Sequence, residues 1–471
     1  MPNFPAGKGN PYSGYATPSI TFFSAIFDGF TNLQSDGSFK PALAIRWEQL
    51  DELTWVFDLR EGVEFSNGEP FNAHAVVRAA EYLQSEAAQL YAIQRELAVL
   101  EHVIALDTHR VRITTRRPVP LLPRVLSAFR IVAPDYWDEA GPEKFATAPV
   151  GTGPFAVESW NEASIRLVRN NGSWRPAKLE QLDILQVSDS SVRLQTLTSG
   201  DVDIAMALSP EDRDLLESSG YVFKVNRAPN ILVLTFVTVE EGPLQDPRVR
   251  QALNIAINRT PIIDVFLDGA VPVPSQPAIR SAFGYNPELV PLDYDPDRAK
   301  KLLAEAGYPD GFEIVAEVIT GVTTNDAAVF QQVFADLKRV GVTVNPQIIS
   351  SAQLVSGIGS GHWRGRMFML DYNLLPALDA LSVMTIHSCL RRIPWHCDED
   401  VMPLAERAYA EPDLAKREQL TQTMMAELVA SPPALILYEA ARFDAHASEI
   451  TEYRAGFGII EYEGIERAHR E

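Results

Sequence analysis

Cysteine is nearly absent: Cys389 and Cys397 are the only two in 471 residues. Such a pair suits one local disulfide in an exported protein or a thiol pair in a cytosolic one. Positive charge is also scarce, with 41 Lys and Arg against 62 Asp and Glu, for a net −21 at pH 7. Phosphate backbones and anionic membrane surfaces are held by clustered basic side chains, so nucleic acid is excluded as a partner. Long apolar runs are missing too. "ILVLTFV" at 231–237 falls far short of the roughly 18 to 20 residues needed to span a bilayer. The start, "MPNFPAGKGNPYSGYATPS", lacks the basic and apolar regions of a secretory signal, as expected of a cytoplasmic protein or of a chain numbered after signal removal.

Catalytic signatures are absent as well. There is no H-E-x-x-H, G-x-S-x-G, G-x-x-x-x-G-K-[ST] or G-x-G-x-x-G, which argues against a zinc protease, a nucleophile-elbow hydrolase, a P-loop enzyme and a dinucleotide binder. "SGIGSG" at 356–361 lacks the lysine of a phosphate loop and reads as a flexible loop. The acidic runs Glu240-Glu241 and Asp398-Glu399-Asp400 read as solvated surface. No internal repeat or low-complexity tract occurs.

What is present is mixed α and β. With 46% apolar residues the chain has material for two or three domains, since single cores rarely grow past roughly 250 to 300 residues. "ITFFSAIFDGFTNL" (20–33) carries an apolar stripe at helical spacing. Trp55, Phe57 and Leu59 alternate as a strand, Asn67-Gly68 marks a turn, and a helix is expected after Pro70. "HRVRITT" alternates again, so 36–148 reads as a small sheet with one or two helices. "PVGTGPFAVESW", "ASIRLVRN" and "KLEQLDILQVS" follow as strands. Asp246-Pro and Asp295-Pro start two helices, because Asp supplies the N-cap oxygen and Pro a preset first residue; the second helix stops at Gly307. "FEIVAEVI", "AAVFQQVFADLKRVGVTVNPQII" and "GRMFMLDY" then repeat strand, helix, strand in the manner of an α/β lobe.

"HSCLRRIPWHC" (387–397) gathers His387, Cys389, His396 and Cys397 in eleven residues. Its spacing suits a structural zinc site poorly, because such ligands come in pairs set two to four residues apart. A disulfide between cysteines with seven residues between them is easier to close. Reduced thiols and zinc stay open as alternatives.

Five segments in order, "GSFKPALAIRWEQLDELTWVFDLREGVEFSNGEPFNAHAVV" (37–77), "PVGTGPFAVESW" (149–160), "LQTLTSGDVDIA" (194–205), "LQDPRVRQALNIAINR" (244–259) and "YDPDRAKKLLAEAGYPDG" (294–311), resemble the extracytoplasmic solute-binding proteins of family 5, which serve peptide and nickel ABC importers. The resemblance implies an α/β protein with the two-lobed periplasmic binding protein fold, class II type and cluster C, with an extra small α/β domain inserted in lobe one. On that template lobe one comprises 1–35, 149–230 and 441–471, the inserted domain 36–148, and lobe two 231–440. It implies a periplasmic monomer without catalytic residues or cofactor that captures a solute between the lobes. Its partners would be a small-molecule or peptide ligand and an ABC permease with its ATPase subunits. Family members carry a cysteine pair just before a segment like "CDEDVMPLAERAYAEPDLAKREQL", which implies a Cys389–Cys397 disulfide.

The same resemblance suggests ligand contacts. "FRIVAP" is close to a motif of nickel-binding members whose Arg holds a chelator carboxylate; Arg130 occupies that place, and "NPYSGYATP" puts Tyr15 at a cleft-lining position. Two other chelate-holding positions fall on Leu90 and Ile93, which cannot hold the same chelate. Peptide-binding members use an Asp of lobe two for the ligand amine, for which Asp371 and Asp379 are the candidates, while Tyr372 and Trp395 offer apolar walls. His387 lies near the nickel-ligating position, and His387 with His396 forms the alternative metal pair. The leading expectation is a short peptide or a related opine-like solute bearing a carboxylate, ahead of a nickel or other metal chelate. A sensor or chaperone on the same fold, or a hydrolase, are the readings from other classes.

Overall fold

The computed structural model describes residues 1–14, 18–89 and 91–468. Tyr15 and Leu90 therefore lie outside the described residues. Between 44 and 115 the chain forms a four-stranded antiparallel sheet in the order Ala44–Gln49, Thr54–Leu59, Arg110–Thr115, Leu100–Asp107. Arg110–Thr115 alternates exposed and covered residues, as half-buried strands do, and the helix Ala73–Gln84 carries a buried face of Ala75, Val76, Ala79, Ala80 and Leu83. That helix starts because the Asn72 side chain accepts from the amides of His74 and Ala75. The opposite sheet face is wet and charged, with Asp58 between Arg46 and Arg110. Phe155–Trp160, Ser164–Arg169 and Gln181–Leu185 make a separate three-stranded antiparallel sheet.

The largest sheet has six strands in the order Ile204–Leu208, Ala434–His446, Val222–Phe236, Met367–Asn373, Phe312–Val318, Val342–Ile348. The last three pair in parallel, with the helix Asp326–Arg339 as crossover between Phe312–Val318 and Val342–Ile348. The other pairs are antiparallel. Asp246 and Asp295 cap their helices through the amides of Arg248 and Arg298.

Two long strands, Val222–Phe236 and Ala434–His446, run antiparallel through this sheet. Val222–Arg227 pairs with 441–446 and Ile231–Thr235 with 434–439, but the register breaks between Arg227 and Ile231. Pro229, which has no amide hydrogen to give to the ladder, sits in that break. The expected crossing points, 230/231 and 440/441, fall within these strands. Beyond the break Ile231 to Phe236 are all buried, with Ile231 and Val233 in one core and Leu232 and Leu234 in the other.

Two expectations fail. The stretch 20–33 is not one helix: only Ser19–Phe23 is helical, and Thr31–Leu33 is a strand. Amides of Gly153 and Phe155 take the carbonyls of Ile26 and Ala25 that a longer helix would have used. A Cβ on Gly151 would stand 2.1 Å from the Ile26 carbonyl oxygen, so glycine is required for this approach. The stretch "SGIGSG" is not a flexible loop but lies in the helix Ser351–Ser360 and its C-cap Gly361. Ser350 and Gln353 form a reciprocal capping box at its start, and Gly357 lets the Trp363 ring lie against the helix.

Candidate ligand-binding cleft

The loop singled out by its cysteines is stapled. Cys389 and Cys397 are disulfide-bonded with their Cα atoms 4.7 Å apart, so neither thiol is free for zinc. The closed loop carries Trp395 into the protein, where its ring meets Phe368 edge-on at 5.2 Å and Trp363 at 6.1 Å. The Arg391 guanidinium covers its face at 4.1 Å while its Nη2 donates to the Ile358 carbonyl at 3.0 Å. His387 stands between Tyr372, ring centroids 4.4 Å apart, and Trp395, at 5.9 Å. Tyr372, Trp395 and His387 thus form one cluster.

These side chains are buried, yet several of their polar atoms have nothing to bond to. Among the described residues the Tyr372 hydroxyl, both ring nitrogens of His387, Trp395 Nε1 and His396 Nε2 have no hydrogen-bond partner. His396 has one, Thr238 Oγ1, at 3.0 Å from Nδ1. Burial, helped by the charges of His396 and Arg391, drives the His387 pKa well below its ordinary value. Burial and then Arg250 bring His396 down to about 3, against a weaker opposing pull from Asp398. Both imidazoles are neutral at pH 7.

Arg95, on the helix Ala92–Leu97, is close enough for its charge to lower the pKa of Arg391 further after burial has done so. Its neighbour Glu96 has an exposed side chain, and desolvation by the surrounding protein raises its pKa. Arg117 places its guanidinium 4.9 Å over the Tyr409 ring, and the Tyr409 hydroxyl donates to the Leu381 carbonyl at 3.1 Å.

The remaining sequence candidates are placed as follows. Asp371 and Tyr372 are chain neighbours on a strand and so point to opposite faces: Tyr372 pairs with Ile231 of one core and Asp371 with Leu232 of the other. The Asp371 carboxylate accepts from Asn230 Nδ2 at 2.7 Å, and burial raises its pKa. Asp379 is committed to a buried ion pair with Arg417 at 2.6 Å and caps the short helical turn Ala380–Ser382. Arg130 is 5% exposed, lies 5.2 Å over the Phe23 ring, and borders a cavity of about 40 Å³ shared with Ser24, Asn32 and Glu461. Ile93 is core. No group of three or more His, Cys, Asp or Glu side chains that could hold a metal occurs among the described residues. His387 and His396 supply at most two imidazoles to a metal brought in with its own ligands.

Sequence reading missed Arg391, although it lies in the highlighted stretch, and it missed Arg95, Glu96, Arg117 and Tyr409. No local pattern marks the last four.

Residues 38–374 match the family described as bacterial extracellular solute-binding proteins, family 5. The chain belongs to this family. It is 30% identical over 312 residues to the glutathione-binding protein GsiB of Escherichia coli K12, a match covering 64% of this chain and 60% of that protein. The chain therefore matches less than two thirds of that relative's length. Among solved structures, DppA of Helicobacter pylori in complex with the peptide STSA superposes with a TM-score of 0.83 at 23% identity, covering 98% of this chain and 96% of that one. NikA of Brucella suis in complex with Fe(III)-EDTA gives a TM-score of 0.83 at 22% identity over 98% and 97%. These likenesses establish the two-lobed periplasmic binding protein fold. Among the described residues no helix is long and apolar enough to cross a membrane.

Proposed function

We propose that this chain is the solute-binding component of an ABC importer, an exported monomer that captures a short peptide or related opine-like solute bearing a carboxylate and presents it to a permease. Lobe one would comprise 1–35, 149–230 and 441–471, the inserted domain 36–148, and lobe two 231–440. One observation carries the reading: a buried aromatic wall, Tyr372, His387 and Trp395, whose side-chain polar atoms have no hydrogen-bond partner among the described residues. An unsatisfied buried donor or acceptor costs about 1–3 kcal/mol. Several together make sense where a guest supplies the missing bonds.

The chemistry of the wall defines the guest. Neutral imidazole, phenol and indole offer both donors and acceptors to amide groups, and Arg391 and Arg95 favour an anionic end. Glu96, next to Arg95 in the chain, suits an amine. The second reading, a metal chelate, is favoured by one fact: both His387 nitrogens lack a hydrogen-bond partner among the described residues, and a neutral imidazole is a metal ligand. The names of GsiB, DppA and NikA span peptide, glutathione and metal-chelate cargo.

Arg130 is proposed as the fork for the solute carboxylate. Calorimetry with the co-purified solute should then show Arg130→Ala binding about 2 kcal/mol more weakly, roughly thirtyfold, with the solute-free melting temperature unchanged. An equal loss of stability without solute would assign Arg130 to the framework of lobe one instead.

A further inference from the structure

A second cavity, of about 210 Å³, is lined by Tyr12 and by residues of the 78–138 stretch. All of its described lining residues fall between Tyr12 and Asp138, so lobe two contributes nothing to it. Three aromatic rings enclose it: Tyr82 and Trp137 meet edge-on at 4.7 Å, and Tyr12 meets Trp137 at 5.4 Å and Tyr82 at 5.6 Å. Tyr12 is wholly buried, and its hydroxyl has no hydrogen-bond partner among the described residues. At the rim Arg78 holds Glu81 at 2.6 Å and Asp138 at 2.7 Å, with all three side chains half-exposed.

We propose that this cavity is a separate binding site for a small organic cation with an apolar body, of the aryl- or alkylammonium class. Size admits it: an apolar cavity of roughly 150 Å³ takes up benzene, and this one is larger. Charge selects it, because the rim sets two carboxylates against one guanidinium and the whole chain carries −21. Aromatic walls attract a cation through their ring faces. The Tyr12 hydroxyl, which can accept as well as donate, gives the buried end of the guest a partner. A carboxylate guest would meet Glu81 and Asp138 at the mouth.

The test is titration of the full chain with phenethylammonium chloride, followed by isothermal calorimetry. Phenylacetate and 2-phenylethanol serve as anionic and neutral controls. The site predicts one-to-one binding of the ammonium, absent or at least tenfold weaker binding of both controls, and about tenfold weakening by Asp138→Asn, an exposed change that spares the core. Ala79→Leu, which adds bulk to the cavity wall, should abolish binding, and Tyr372→Phe in the cleft should leave it intact. Equal binding of either control, loss of binding in Tyr372→Phe, or no binding to the folded wild type would each overturn the proposal.

Discussion

Asp28→Ala lowers folding stability by about 3–5 kcal/mol, the cost of stranding one partner of a buried ion pair. Asp28 has no exposed side-chain surface and is paired at 2.7 Å with Arg175, which also holds Glu463 at 2.7 Å. Its other bonds come from Asn32 Nδ2 at 2.9 Å, Thr152 Oγ1 at 2.8 Å and Trp174 Nε1 at 3.0 Å. One carboxylate thus ties the first segment of the chain to the 152–175 segment and, through Arg175, to the C-terminal region. Denaturant titration of the solute-free protein measures the loss. Asp28→Leu combined with Arg175→Met should recover much of it, since removing both charges leaves neither stranded. A single mutant as stable as wild type would show that the network contributes nothing.

The pH dependence of this pair has a definite sign. Burial pushes the Asp28 pKa up, but the Arg175 charge and the three side-chain hydrogen bonds outweigh it and hold the carboxyl below its ordinary value. The unfolded chain therefore takes up the proton first as acid is added. The stabilisation is fully present above the ordinary carboxylate pKa and is lost as pH falls through the folded value.

His387→Leu should have opposite effects on the two states of the protein. Without solute it removes an imidazole buried with both nitrogens unpartnered, so stability at pH 7 should hold or rise. With solute it removes the central member of the wall, and affinity should fall about tenfold or more. Acid sharpens the contrast. His387 titrates well below its ordinary value when folded, so the unfolded state binds more protons below about pH 6.5. Stability is present above that pH and declines on acidification toward the folded value. On going from about pH 6.5 to about pH 4.5 wild type should lose stability that His387→Leu keeps. Melting curves at both pH values check this, and parallel curves for the two proteins would refute a buried neutral His387. His396, brought down to about 3, contributes the same decline to both proteins and cancels in the comparison.

Local signals in the sequence carried most of the fold. Alternation around Trp55 and Val111, and Asp before Pro at 246 and 295, each depend on neighbours within a few residues, and each yielded the expected strand or helix. The stretch 20–33 misled because burial on all sides imitates an apolar stripe; which carbonyls the 153–155 segment would claim is not written locally. The capping pair Ser350 and Gln353 was a readable signal for the helix through "SGIGSG". The cleft was less legible. Tyr372, His387 and Trp395 could be named, but their convergence, the cover of Arg391 over Trp395, and the opposite facing of Asp371 depend on strand pairing and loop closure. Asp379 looked like an amine anchor until its partner Arg417, 38 residues away, was placed beside it.

Native mass spectrometry of protein freshly purified from its own host tests the central claim most directly. A one-to-one adduct is expected, released on denaturation, that contains a carboxylate and amide or amine nitrogen and that the His387→Leu variant fails to retain. An adduct without a carboxylate, or one held equally by wild type and His387→Leu, would contradict it.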